Sequence, residues 1–189
     1  MNRYLCFDSA LNEVYSLMLL QQEYKSHVSL FKDTVDEGIW DVAPWIFKIG
    51  NSNFYRKWDD PNMSLQRCLI FETNFSLQEL KEHLQQFIYK KTEGVTYFNR
   101  FWDAKVLKQQ MERFDTNELT SFFEDINSVY MKEENGQQFL KIFLDKRNRH
   151  AKQLLHEDDM FHLDKALSEE GEEESHTNDK PKTRKFFTE

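Results

Sequence analysis

The first candidate for metal chemistry is a run of histidines and carboxylates near residue 156. His156 and His162 enclose Glu157, Asp158 and Asp159. Zinc proteases place two histidines four residues apart, so that both lie on one face of a helix. Here the spacing is six residues, which turns the second histidine about 240° round a helix. We therefore expect an exposed polar face and no metal ligands, with a metal-dependent enzyme centred on the two histidines kept as an alternative.

Nucleophilic catalysis has few candidates. The only thiols, Cys6 and Cys68, each lie inside an apolar stretch, and the sequence holds no Gly-x-Ser-x-Gly motif. Burial raises the pKa of a thiol and makes it unreactive. Two distant, reduced cysteines are typical of a cytoplasmic protein. We expect no catalytic residues and no cofactor, and hence a protein that is not an enzyme.

The stretch from Phe98 to Asp103 is the most unusual local pattern, because three aromatic residues surround Arg100 and Asp103. These two charges are three residues apart at a predicted strand-to-helix junction. The spacing predicts an ion pair between them that holds the junction. Arginine and tryptophan also anchor many protein interfaces, so a partner-facing role for Arg100 and Trp102 stays open.

Charge and hydropathy exclude two further classes of function. The 189 residues include 25 basic and 33 acidic side chains, a net charge of −8. A nucleic-acid binder needs clustered Lys and Arg to displace counterions, so we expect no nucleic-acid partner. No apolar run approaches the ~20 residues of a membrane-spanning helix, and the first residues lack the apolar segment of a signal peptide. We expect no membrane association and a cytoplasmic location.

Helix and strand signals alternate over the first 143 residues. The clearest are two capping boxes, Ser76–Glu79 and Asp115–Glu118, and an N-cap at Asp103. His83 lies at the margin of the apolar face of the first of these helices, where we expect a hydrogen-bonded boundary histidine. Asn135-Gly136 predicts a late hairpin. The predicted strands cover 4–7, 27–31, 42–47, 67–73, 95–101, 129–133 and 138–143, and the predicted helices cover about 11–24, 77–90, 104–114 and 116–123.

This alternation predicts an α/β (α+β) domain over residues 1–143, with a mixed β-sheet flanked by helices. Residues 144–167 contain Leu154, Leu155 and Phe161 in an amphipathic pattern, which predicts a short helical C-terminal lobe. Residues 168–189 are rich in segregated charge and poor in apolar side chains, a composition typical of a disordered tail.

Five segments, in order, resemble the DUF4123 family over about residues 4–133. Arg100-Phe101-Trp102-Asp103-Ala104-Lys105-Val106-Leu107 is similar to the family motif RFYDPRVL, with Ala104 for its Pro and Lys105 for its second Arg. The lysine lacks the planar fork of arginine, which weakens a bidentate contact at that position. The other similar segments are 4–10, 42–46, 76–84 and 122–123.

The resemblance implies an adaptor, or effector chaperone, of a bacterial type VI secretion system. Such a protein acts in the bacterial cytoplasm, binds a secreted effector, delivers it to the VgrG-type spike and has no small-molecule substrate. The alternative is an immunity-type protein that neutralises a toxin in the producing cell. The candidate motif and partner-binding residues are Trp45, His83, Arg100, Phe101, Trp102, Asp103, Lys105, Leu154, Leu155 and Phe161.

Overall fold

A computed structural model describes residues 1–49, 54, 57, 60–133, 138–156 and 159. Its main feature is a seven-stranded sheet with the order β2-β3-β1-β4-β7-β8-β9, and a separate hairpin is formed by β5 and β6. The strands are β1 Asn2–Asp8, β2 His27–Ser29, β3 Pro44–Lys48, β4 Leu69–Thr73, β5 Tyr89–Thr92, β6 Val95–Phe98, β7 Ile126–Lys132, β8 Gln138–Leu144 and β9 His150–His156.

The described helices lie between these strands. They are α1 Val14–Glu23, a 3-10 segment Glu37–Val42, α2 Leu77–Gln85, α3 Ala104–Met111 and α4 Thr116–Phe122. Within the described residues, none of these helices combines the length and apolar character needed to cross a bilayer.

The α+β class is confirmed, but the sheet is antiparallel at every pairing between described strands, where the sequence predicted a mixed sheet. The reason is topological. Helix α1 joins β1 to β2, and these strands run in the same direction, yet β3 lies between them. The two parallel strands therefore never become neighbours.

One row of apolar side chains crosses all seven strands. We call it the cross-strand row, and its members, in spatial order, are Val28, Ile46, Cys6, Leu69, Met131, Leu140 and Leu154. Except for Leu154 at its end, the row belongs to or packs against the larger core cluster, which includes side chains of α2, α3 and α4. The opposite face of the sheet packs against α1 through Leu17 and Leu20. Helices therefore cover both faces.

Both predicted capping boxes are present. The Ser76 hydroxyl accepts the Glu79 amide at 3.3 Å while the Glu79 carboxylate accepts the Ser76 amide at 2.7 Å. Asp115 and Glu118 form the same reciprocal pair at 2.8 and 3.1 Å. These interactions involve neighbours in sequence, which is why the sequence alone predicts them.

Three helix boundaries differ from the prediction by three residues or more, and one of them is the end of α3, at Met111 instead of residue 114. Helix α1 begins at Val14, after Glu13, rather than at about residue 11, where Asp8 and Ser9 would lie close enough to cap it. Asp8 is unavailable as its cap because its side chain belongs to a buried ion pair, described below. Helix α2 ends at Gln85, and β5 begins at Tyr89, where the sequence predicted helix up to residue 90.

The predicted helical lobe begins instead with a strand. Residues 150–156 form β9, which pairs with β8 along its whole length. Asp145 accepts the amides of Arg147 and Arg149 at 2.8 and 3.0 Å, closing a tight turn that brings the chain back onto the open edge of β8. The ladder outweighs the helical spacing of the apolar residues. The Asn135-Gly136 turn, Phe161, His162 and residues 168–189 lie outside the described residues.

Candidate interaction surfaces

Arg100 forms its ion pair with Asp8, the last residue of β1. Its Nη2 and Nε atoms donate to the same carboxylate oxygen at 2.6 and 3.1 Å, and the other oxygen accepts the Ala10 amide at 3.0 Å. The Asp8 side chain is fully buried, whereas that of Arg100 is 36% exposed. The predicted ion pair between Arg100 and Asp103 is therefore wrong, because the guanidinium pairs with a carboxylate that lies 92 residues away in the sequence.

Asp103 uses its two carboxylate oxygens differently. One accepts the Lys105 amide at 2.9 Å and caps α3, as the sequence predicted. The other accepts Arg67 Nη1 at 3.2 Å. The amide of Ala104 in turn donates to the Arg67 carbonyl at 3.1 Å. We call Asp8, Arg67, Arg100 and Asp103 the motif junction, since it ties β1 and the approach to β4 to the start of α3.

Phe101 and Trp102 lie beneath the motif junction, almost completely buried. The Phe101 ring lies 6.0 Å from that of Phe122, and the Trp102 ring lies 5.7 Å from that of Phe31, both edge to face. Such contacts stabilise a core by about 0.5–1.5 kcal/mol each beyond the area that they bury. These rings support the junction and present little surface to a partner.

His83 and Trp45 also make internal hydrogen bonds. His83 is buried on α2, and its Nε2 atom donates to the Phe122 carbonyl at 3.0 Å, which fits a hydrogen-bonded boundary histidine. Trp45 is half-buried on β3 and donates from Nε1 to the Trp40 carbonyl at 3.2 Å. Only part of the Trp45 ring is available to a partner.

The two thiols are buried and unpaired. Burial raises the pKa of both thiols, and the nearby Cys68 and Asp8 contribute to the increase at Cys6. A thiol held neutral in this way is a poor nucleophile. Among the described residues, no group of three or more His, Cys, Asp or Glu side chains is arranged to hold a metal ion.

An open cleft of about 1200 Å³ lies beside the motif junction. Its walls include Arg67, Lys105 and Lys108, and the last residues of β7 form its far side. Lys108 pairs with Glu133 at 2.7 Å. Lys105 is exposed and has no side-chain partner within the described part of the chain, so this motif residue is available to a ligand or partner in the cleft.

The structure has two exposed apolar surfaces whose residues could not be told apart from buried core residues on the basis of the sequence alone. The α1 face consists of Val14, Tyr15 and Met18, each more than half exposed. Tyr15 also lines the cleft, so the α1 face and the cleft adjoin. Helix α1 has apolar residues on all sides, a pattern from which the buried side cannot be chosen without the tertiary structure.

The second surface combines the segment around the 3-10 helix with the hairpin strand β6. We call it the acidic apolar surface because Asp36, Glu37 and Asp41 lie among its apolar residues. The Tyr89 hydroxyl donates to the Asp36 carboxylate, which joins the hairpin to this segment. The exposed apolar members are Val35, Ile39, Trp40, Val42, Val95, Tyr97 and Phe98.

The leucines of β9 point to opposite faces of the sheet. Leu155 packs against the second core cluster. Leu154 ends the cross-strand row and is 58% exposed, since the helical layer does not cover the edge strand. Leu154 is therefore available to a partner, and Leu155 is partly so.

An antiparallel sheet covered by helices on both faces, with paired charges inside and two apolar surfaces outside, defines an α+β protein. The family model described as "Domain of unknown function (DUF4123)" matches residues 4–121, more than half of the sequence. The chain belongs to the DUF4123 family. Comparison with curated proteins gives no match, and comparison with solved structures gives none either.

The matched range contains the whole motif junction, the α1 face and the acidic apolar surface. Strands β7, β8 and β9 lie beyond it. The matched range therefore contains both exposed apolar surfaces, the α1 face and the acidic apolar surface. The last three strands complete the sheet.

Proposed function

We propose that this protein is a cytoplasmic adaptor of a bacterial type VI secretion system, which binds one secreted effector and helps to load it onto the VgrG-type spike. The observation that carries the proposal is membership of the DUF4123 family, a family associated with effector adaptors of this secretion system. The protein acts by binding and performs no chemistry on its cargo.

The α1 face and the adjoining cleft are the surface that we assign to the effector. Tyr15 offers a large amphipathic ring, a side chain enriched among the residues that dominate interface energies. Lys105 adds an unpaired positive charge at the rim within the described residues, where an acidic group of the partner would increase the association rate. An apolar centre with a charged rim is the usual anatomy of a protein interface.

The first test is export from the producing cell. Deleting the gene should stop export of a single effector while the secretion machine continues to release its other cargo. Restoring the wild-type chain should restore that export. Normal export of every effector in the deletion strain would contradict the proposal.

The second test assigns the surface. Tyr15→Ala should weaken capture of the same effector by the purified full chain by roughly 10–30-fold, the effect of removing an interface anchor. Trp40→Ala is the matched control, because both side chains are 57% exposed. Equal losses for the two variants would show that the α1 face has no special role.

Co-expression with the active toxin separates an adaptor from the immunity-type alternative. An adaptor keeps the effector soluble and loaded, whereas an immunity protein restores growth by blocking its activity. Growth rescue by this chain in the absence of the secretion machine would favour the alternative.

A further inference from the structure

We propose that the acidic apolar surface binds a segment of the chain's own C-terminal end, residues 180–187, whose sequence is Lys-Pro-Lys-Thr-Arg-Lys-Phe-Phe. The proposal concerns a contact within one chain and does not depend on the identity of the effector.

The surface has a chemical character that selects its ligand. Three of its exposed members are aromatic, and of these Trp40 is 57% exposed. Glu37 and Asp41 flank that residue and have no side-chain partner among the described residues. Residues 35–42 contain three acidic side chains and no basic one. A ligand for this surface must therefore supply apolar groups and positive charges together.

Residues 180–187 supply both. Lys180, Lys182, Arg184 and Lys185 give four positive charges without an acidic residue between them, and Phe186 and Phe187 follow directly. Residues 157–174 are strongly acidic instead, so the complement to the surface occurs in one part of the tail only. Four positive charges facing three carboxylates, next to aromatic rings on both sides, are complementary in charge and in hydrophobicity.

The path of the chain is compatible with this contact. Strand β9 ends at His156, two residues beyond its own member of the cross-strand row. Asp8 on β1 and Pro44 on β3 lie two residues from the row on that same side. The chain therefore leaves the sheet at the end where the 3-10 segment enters β3. Six inter-strand spacings of ~4.8 Å separate β9 from β2, roughly 29 Å. The 23 residues from 157 to 179 can span up to ~80 Å.

A contact within one chain is favoured over a contact between two copies. A tethered segment meets its site at an effective concentration in the millimolar range, far above that of a second protein molecule. Two copies also repel one another, since each has a net charge of −8. The bound segment would cover aromatic rings that a monomer otherwise leaves in water.

Zero-length carbodiimide cross-linking of the full chain tests the contact, because the reagent joins a lysine amine to a carboxylate only when the two touch. An equal mixture of unlabelled and 15N-labelled protein is treated, and the linked peptides are identified by mass spectrometry. We expect Lys180, Lys182 or Lys185 to be linked to Glu37 or Asp41, with both peptides carrying the same isotope. Peptides of mixed isotope would indicate a second copy and overturn the proposal.

Two variants keep every reactive group in place and remove only the aromatic contact. Phe186→Ser with Phe187→Ser, and separately Trp40→Ala, should each lower the yield of these links at least fivefold. Tyr15→Ala is the matched control, with the same exposure, and should leave the yield unchanged. Equal linking of the tail lysines to Glu13 and Glu112, or a yield that neither variant changes, would overturn the proposal.

Discussion

The motif junction and the acidic apolar surface have similar side chains in opposite environments. Both have carboxylates next to aromatic rings, yet Trp102 beneath the motif junction is buried and Trp40 is more than half exposed. The carboxylates differ in the same way. Asp8 and Asp103 are buried and paired with arginines, whereas Glu37 and Asp41 have no side-chain partner within the described residues. In these two regions, the aromatic residues are buried where the neighbouring carboxylates are paired within the chain, and exposed where they are not.

The two regions are also in physical contact. Phe98 belongs to the acidic apolar surface, and its ring lies 5.5 Å from that of Trp102 and 6.0 Å from that of Phe31. One aromatic layer therefore runs from the core beneath the motif junction to the exposed surface. Substitutions on the core side of Phe98 should change the free energy of unfolding. Substitutions on the exposed side should change binding and leave that free energy nearly unaltered.

The largest expected effect is on the buried side. Phe101→Ala should lower the free energy of unfolding by about 3–5 kcal/mol, because it removes a ring from a packed cluster and leaves a cavity. Urea denaturation checks this value. Trp40→Ala should change the same quantity by less than ~0.5 kcal/mol, as expected for an exposed side chain. Similar losses for the two variants would remove the distinction between the regions.

The next largest effect concerns the charges of the motif junction. Arg100→Ala leaves the Asp8 carboxylate buried without its partner, and we expect a loss of roughly 2–3 kcal/mol. This is below the ~3–5 kcal/mol of a fully buried pair, because Arg100 is 36% exposed. Arg149→Ala breaks an exposed pair with Asp145 and should cost less than ~0.5 kcal/mol. Equal losses in the free energy of unfolding for the two variants would show that the burial of Asp8 does not strengthen its ion pair.

A smaller effect concerns α2, which contacts both regions. His83 on this helix bonds to the core, and Lys81 bonds to Asp33 at the start of the exposed segment, at 2.5 Å. Ser76→Ala removes the cap of α2 and should lower the free energy of unfolding by ~1 kcal/mol. Gln78→Ala, on the exposed side of the same helix, is the control and should be close to neutral. Thermal unfolding of the two variants decides the matter.

The smallest effect is a dependence on pH. The hydrogen bond from Lys81 lowers the pKa of Asp33 below its ordinary value of 3.8. The ionised carboxylate therefore stabilises the fold above that pH, and the stabilisation is lost as the pH falls through the lowered pKa. Asp33→Asn should reduce Tm at pH 7, and the difference from the wild type should shrink towards pH 3.

Asn suits this comparison because position 33 has a φ of 65°, a left-handed conformation that asparagine tolerates as well as aspartate does. A difference in Tm that is the same at pH 7 and pH 3 would show that the carboxylate charge is not what stabilises the segment.

Local chemistry was predictable from the sequence. The Ser76 and Asp115 capping boxes and the Asp103 N-cap each depend on residues two or three positions apart, so a short window contains all of their determinants. The strands around the late turn were also predictable, because alternating apolar residues flank it. The resemblance to DUF4123 was confirmed over residues 4–121.

Non-local choices were not predictable. Nothing within a short window distinguishes Asp8 from Asp103 as the partner of Arg100, since the choice depends on how β1 lies beside the start of α3. Residues 150–156 have apolar spacing compatible with a helix, and only the open edge of β8 makes them a strand. The exposed side of α1 is likewise fixed by which face the sheet covers.

The central position of β1 has a consequence for synthesis. This strand ends at Asp8, and its second partner strand ends at Thr73, 65 residues later. At ~5–20 residues per second, a ribosome needs roughly 3–13 s to complete that interval. This interior strand is therefore made before either of its partners, and its β4 edge stays unpaired throughout that interval, a state in which strands of neighbouring nascent chains can pair wrongly.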